Sequence, residues 1–366
     1  MAEPAAEPGQ AGLLSRAQAE VHYDEAVAKA VLACAADTAG QRCYICFGEG
    51  DEDEGLVIGC ACRGGNGFAH VSCLARGAQV VVERDVDTGW ARWYTCGLCE
   101  QEYHGVVRCA LGWSCWKTYL GRPETDKARR LAMNLLGLGL CAANHDEDAL
   151  SVYEAELSML QRVGASERSI LVARGNIVDT YTALGRPEEA LRLGRDVYRE
   201  YLRRLGEEDR DTLLQATNYA ECLSSNNRFE EAKELLRKMI PVARRVLAES
   251  DDLQFRMRIA CNRALCENPA KTLDDLREAV SMIEEIEPTA RRVLGGAHPI
   301  VEDIERRLPA SRKLRDAQVA LCAQVGDDVS SLREAMEAIT SSTPDAIAAA
   351  AEKVRKISLD YAPRST

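Results

Sequence analysis

Eight residues suited to soft metals fall between positions 43 and 99, spaced as Cys43-x-x-Cys46, Cys60-x-Cys62, His70-x-x-Cys73 and Cys96-x-x-Cys99. A two-residue gap lets both donors of a pair reach one tetrahedral ion at about 2.3 Å, so eight donors in four close pairs are a set for two zinc ions. A segment of fewer than about 70 residues rarely closes a hydrophobic core unaided, and metal bonds are among the staples that replace one. Residues 41–105 are therefore expected to fold as a metal-built finger.

The rest of the 366-residue chain asks for a different architecture. It is 46% apolar but only 5% aromatic, and rich in Ala, Leu, Glu and Arg. That balance points to a mainly α fold. A formal net charge of −12 opposes binding to a phosphate backbone, which excludes nucleic acid as the main partner and favours a protein or peptide ligand. Residues 1–12 lack the basic and apolar regions of a secretory leader, so the fifteen Cys are expected to be reduced thiols of an intracellular, cytoplasmic protein. The longest apolar stretch, 131–143, is short of the roughly 20 residues that span a bilayer, and no membrane span is expected.

Residues 1–14 read as a disordered tail and 15–37 as a helix whose apolar positions include Val21, Ala26, Val31 and Leu32. Inside the finger, the acidic loop 48–55 reads as solvated surface. Residues 106–124 form a connecting helix, with Trp113, Trp116 and Leu120 expected to pack on the next domain.

From 125 to 296 the chain repeats itself. Gly137, Val178 and Ala220 are each followed three residues later by a large residue, Leu140, Tyr181 and Leu223; a polar turn then leads to acids and an alanine, Ala149, Ala190 and Ala232. A second marker, Val163-Gly164, Leu205-Gly206 and Leu247-Ala248, keeps the same step. Each unit is read as two helices joined by a tight turn. The layout resembles the long-loop tetratricopeptide repeat of kinesin light chains, on the strength of Gly185-Arg186-Pro187-Glu188-Glu189-Ala190 and Asn227-Arg228-Phe229-Glu230-Glu231-Ala232. A fourth copy, 253–295, carries an insertion and a blurred turn and reads as degenerate. Residues 297–366 are expected to be capping helices and a tail, the last helix opening at Thr343-Pro344-Asp345.

The finger in turn resembles the RING-CH finger of the membrane-associated RING-CH ubiquitin ligases. The resemblance covers 43–99 and includes Cys60-Ala61-Cys62-Arg63-Gly64-Gly65, Phe68-x-His70, Cys73-Leu74 and Cys96-Gly97-Leu98-Cys99. It implies a cross-brace in which one zinc takes Cys43, Cys46, His70 and Cys73 and the other takes Cys60, Cys62, Cys96 and Cys99. It also implies docking of a ubiquitin-conjugating enzyme, for which Ile45 and Leu74 are the candidate contacts. Two contacts usual in the family are missing: Gly77 stands where an aromatic is usual, and Glu100 follows the last Cys in place of a basic residue.

Trp90 and Trp93 either replace that aromatic or pack the finger's core, and packing is expected. His104, Cys109 and Cys115 fit no common metal knuckle; Cys34, Cys141, Cys222, Cys261, Cys266 and Cys322 read as small hydrophobes on helices. No nucleophile with a base, and so no catalytic residue, can be assigned. The expected function is a ubiquitin ligase that recruits a conjugating enzyme through the finger and a protein substrate through the repeats. The alternative is a non-enzymatic adaptor with a structural finger. In either case chelation is expected to unfold 43–99 and to spare the repeats.

Overall fold

The computed structural model describes residues 15–50, 54–62, 66–340 and 344–360. The expected tails at 1–14 and 361–366, the Arg63-Gly64-Gly65 stretch and Thr343 lie outside them. Thirteen α-helices and two short strands make up the described residues.

Helix α1 (Arg16–Thr38) opens on a capping box, in which Ser15 accepts from the Gln18 backbone and Gln18 reaches back to the Ser15 N–H. Its buried face is small: Ala19, Ala26, Ala30 and Cys34. Val21 and Leu32, two of its apolar positions, are exposed. The small residues let α1 press on the finger's first strand, β1 (Leu56–Val57), where Cys34 and the backbone of Ile58 exchange hydrogen bonds at 3.3 and 3.4 Å. Antiparallel β2 (Ala69–His70) pairs Leu56 with His70. Helix α2 (Val71–Arg84), a 3-10 turn (Gly89–Trp93) and α3 (Gly105–Tyr119) follow.

Helix α3 is buried along most of its length, with Trp113 and Trp116 inside. It crosses α4 (Lys127–Ala142) at two glycines. A Cβ on Gly112 would stand 2.9 Å from the Leu135 carbonyl oxygen, and one on Gly139 would stand 2.9 Å from that of Arg108. Nothing larger fits at that separation.

Four helix pairs then stack: α4 with α5 (Asp146–Arg162), α6 (Glu167–Ala183) with α7 (Pro187–Leu205), α8 (Arg210–Ser225) with α9 (Phe229–Val246), and α10 (Asp252–Glu267) with α11 (Leu273–Leu294). The first three turn at Asn144, Gly185 and Asn227, all with φ between 59 and 68°. These are the residue types that tolerate the left-handed region best. The next residue donates its N–H back to Leu140, Tyr181 or Leu223 at 2.9 Å. The recurring large residues therefore also anchor each turn, while Ala149, Ala190 and Ala232 are fully buried.

The fourth pair is a full pair of helices with a different turn. Its insertion is absorbed by the loop and the first turn of α11, which starts on a Thr272–Asp275 capping box, and Ala279 is buried in the role of Ala232. Helix α12 (Pro299–Thr340) packs its beginning on α11 through Val301 and Ile304, takes a hydrogen bond from Asn262 to Ser311 at 2.9 Å, and is followed by α13 (Pro344–Asp360).

Helices α4, α6, α8 and α10 touch one another in succession, whereas α9 and α11 are bridged by ion pairs between long side chains, Arg237 with Glu278 and Arg244 with Glu285. The helices in direct contact line the inner, shorter side of the curve. A single core runs from α1 through the finger and α3 into α4 and α5, as far as Ile177. The finger thus shares its core with the first repeat.

Candidate functional site

The structure gathers the eight predicted donors into two sets, Cys43, Cys46, His70 and Cys73, and Cys60, Cys62, Cys96 and Cys99, with the donor atoms of each set within 4.8 Å of one another. A tetrahedral zinc site has edges of about 3.8 Å between sulfurs and about 3.6 Å between sulfur and nitrogen. The Cys62 and Cys96 sulfurs are 3.7 Å apart, and His70 Nδ1 lies 3.4 Å from Cys46 and 3.7 Å from Cys73. The donor sets therefore fit two zinc ions. The sets interleave along the chain, so each ion ties together segments that the sequence separates.

The surroundings aim these donors. His70 turns Nε2 to the Glu49 carbonyl at 3.2 Å, which fixes Nδ1 as the donor atom. In the first knuckle the N–H groups of Ile45 and Cys46 point at Cys43 Sγ at 3.4 and 3.5 Å; in the last, Leu98 N–H points at Cys96 Sγ at 3.4 Å. The two knuckles share one backbone plan. Cys43 bonds to Gly48 and Cys96 to Gln101, and each knuckle closes on a positive-φ residue, Phe47 at 62° and Glu100 at 60°.

The thiols of each set crowd one another. Burial pushes Cys62 and Cys73 up, while a hydrogen bond from Cys60 holds Cys96 low. Of the acids read as solvated surface, Glu49 stays exposed while Glu54 serves the scaffold. Glu49 pairs with Arg42 at 2.8 Å, and Glu54 accepts from the Ser72 backbone at 3.0 Å, capping the first turn of α2. Residues 51–53 of that loop lie outside the described residues.

Ile45 is 39% exposed on the first knuckle. Leu74, the other candidate docking residue, is only 7% exposed and packs the finger's core, which removes it as a contact. Sequence reasoning missed Leu98, 52% exposed on the last knuckle, and Phe47, 75% exposed; the signal was their place in the two-residue gap or just after it, where side chains point away from the metal. A carbon added to Gly97 would lie 3.8 Å from the Tyr44 hydroxyl, so the two knuckles adjoin. Around Gly77 there is open space.

Trp90 and Trp93 are buried against Tyr119, with ring centroids 5.1 and 6.1 Å away, and pack the core as expected. Cys109 and Cys115 are buried thiols with raised pKa, that of Cys109 at about 11. Cys322, expected as a packed hydrophobe, is exposed. His104 contacts His298 at the start of the capping region, ring to ring at 5.3 Å, and burial lowers both imidazoles, His298 to about 4.

That contact closes a ring. The Cβ position of Gly295 lies 3.9 Å from Ala61, between two zinc ligands, so the end of the fourth repeat meets the second metal cluster. Between them is a cleft of about 510 Å³ lined by Glu100, Glu102 and Arg108 on one side and Arg210, Asp252 and Arg256 on the other. Asn134, Asn176 and Asn218 hold the same place in α4, α6 and α8, with their amide nitrogens closed to solvent, Asn134 against Glu156 and Asn218 against Asp179. The repeat pattern did not single them out, because a lone polar residue per helix looks like solvated surface.

Comparison with known proteins agrees on both modules. The RING-variant domain matches residues 43–99, and the tetratricopeptide repeat matches 170–211. A crystal structure of nearly identical TPR-like repeats of a kinesin-light-chain-type protein from Podosopora anserina is 18% identical, with 67% of this chain and all of that one covered and a TM-score of 0.42. A singly substituted form of the same repeats is 17% identical, with 60% and 96% covered and a TM-score of 0.39. No curated protein matches the chain. The chain thus joins a RING-variant zinc finger to tetratricopeptide repeats. Among the described residues no helix is long and apolar enough to cross a membrane.

Proposed function

We propose that the chain is a RING-CH-type ubiquitin ligase whose finger docks a conjugating enzyme while the inner face of the repeats holds a protein substrate beside it. The observation that carries this reading is the display of Ile45 and Leu98 on two adjoining metal knuckles, an apolar pair held rigidly at the surface. Four protein donors per ion leave no position for water, so what zinc supplies is rigidity. The finger then acts by positioning: it holds the conjugating enzyme and its thioester near the lysine to be modified.

Autoubiquitination with a panel of conjugating enzymes tests the reading. Activity is expected with at least one, and Ile45→Ala and Leu98→Ala should each abolish it while two zinc ions per chain remain bound. A folded, zinc-loaded protein inactive with every enzyme sinks it.

A second reading, a non-enzymatic adaptor, draws on Gly77 and Glu100. The helix position usually held by an aromatic is bare, and Glu100 closes a knuckle and lines the cleft towards the repeats. Under that reading Ile45→Ala changes no measurable activity and leaves ligand binding by the repeats intact.

A further inference from the structure

Resting on the reading of the finger as the docking face for a conjugating enzyme, we infer that Arg92 completes that face. Its guanidinium supplies the basic contact that is missing after the last Cys, where Glu100 stands. The docked enzyme presents to it an acceptor, a carboxylate or main-chain carbonyl oxygen, beside the apolar residues that meet Ile45 and Leu98.

Arg92 lies outside both knuckles in the sequence, four residues before Cys96, and the 3-10 turn Gly89–Trp93 carries it to them. Trp90 and Trp93 of that turn are buried, Trp90 Nε1 donates to the Val86 carbonyl at 3.0 Å, and a Cβ on Gly89 would stand 2.8 Å from the Val81 carbonyl oxygen. The turn is thereby pinned to the end of α2, and Arg92, half-buried between the two tryptophans, reaches out to the last knuckle. Its Nη1 lies 2.6 Å and its Cζ 3.3 Å from where a Cβ on Gly97 would be, and the Tyr44 hydroxyl is 3.8 Å from the same point. Gly97 is the neighbour of Leu98, and Tyr44 the neighbour of Ile45. The guanidinium therefore occupies the seam of the two knuckles, in room that only a glycine at 97 leaves.

The group is also uncommitted. Among the described residues no carboxylate pairs with it and it donates no hydrogen bond, although Glu100 belongs to the same knuckle and the chain carries a net charge of −12. Arg42, beside the first knuckle, is by contrast paired with Glu49 at 2.8 Å. A guanidinium offers five N–H donors in a planar fork that matches carboxylate or carbonyl oxygen. Held on a rigid turn, it has less freedom to lose on binding. An arginine flanked by apolar side chains that exclude water is the arrangement in which one contact carries much of an interface's energy.

The test uses the full-length zinc-loaded protein and, as probes, the conjugating enzymes of the panel without ubiquitin, with affinity read by biolayer interferometry. Arg92→Gln should weaken binding about tenfold or more, while two zinc ions per chain and the unfolding temperature stay as in the unsubstituted protein. Arg92→Lys keeps the charge but not the fork and should recover part of the loss. Gly97→Ala displaces the flexible end of Arg92 at little cost in stability and should weaken binding too; because both changes remove one contact, their losses should not add in the double variant. Additive losses overturn the assignment, as does an Arg92→Gln protein that binds at full strength where Ile45→Ala does not; in both cases the docking face stands without Arg92. Loss of zinc or of thermal stability in Arg92→Gln makes the residue structural and overturns it as well. If no enzyme binds the folded protein with its two zinc ions, or if binding ignores Ile45→Ala, this inference and the docking reading fall together.

Discussion

At the scale of single residues, the least comfortable group in the repeats is Glu156 on α5. Its carboxyl is buried, one oxygen has no hydrogen-bond partner, and burial raises its pKa from 4.5 to about 8 against the pull of Asn134 and Arg130. A raised folded-state pKa means that the folded chain holds a proton the unfolded chain has lost. The stability this contributes is fully present below pH 4.5 and fades as pH rises through 8. Glu156→Gln removes the titration. Thermal unfolding of the two proteins should therefore coincide near pH 4.5 and separate in favour of the variant above neutrality, each pKa unit being worth about 1.4 kcal/mol. Parallel curves from pH 4 to 9 would show that the carboxyl is not desolvated. Glu156 gave no sign in the sequence, because an acid four places from a leucine on an amphipathic helix looks solvated. Leu74 was misread in the same way: its burial depends on the folded knuckles, not on its neighbours in the chain.

At the scale of elements, what the sequence told well was what repeats. Ala149, Ala190 and Ala232 recur because each seats one helix on another, and the pair spacing of the eight metal donors is itself a geometric requirement. Contacts made only once were invisible. The crossing of α3 and α4 depends on Gly112 and Gly139, which stand in no repeated place, and α1 buries alanines where larger side chains looked the better candidates. The crossing gives a paired prediction. Gly112→Ala and Gly139→Ala each drive a carbon against backbone at 2.9 Å. Overpacking of about 1–3 kcal/mol then outweighs the gain of up to about 1 kcal/mol from replacing a helical glycine. Gly77→Ala makes the same chemical change on a helix with open space around it, and should stabilise by about 0.5–1 kcal/mol. Chemical denaturation of the three variants should therefore give opposite signs. If all three stabilise, the close crossing does not exist in solution.

At the scale of the whole molecule, the question is how far the metal's influence extends. The donors were legible, but the range of their effect was not, because it depends on which helices share a core. The apolar cluster that contains Cys43, Leu56, Trp93 and Tyr103 also contains Trp116, Leu136, Tyr153 and Met159, whereas Leu213, Leu236, Met257 and Leu265 belong to another. Folding of a zinc module and binding of its metal are one equilibrium. Removing the ions should release the finger, and with it the packing that covers α3. Chelation should therefore lower amide-exchange protection in α1, α3, α4 and α5 as well as in 43–99, and leave α8 to α11 protected. The ring contacts, His104 with His298 and Ala61 with Gly295, are few and should open at the same time, lengthening the molecule in small-angle scattering. Unchanged protection of α3 to α5 after complete zinc loss would show that the first repeat stands without the finger. Loss of protection through α11 would show that the array folds as one unit with it. The predicted boundary lies between these outcomes, at the small apolar cluster of α6 and α7 that separates the two.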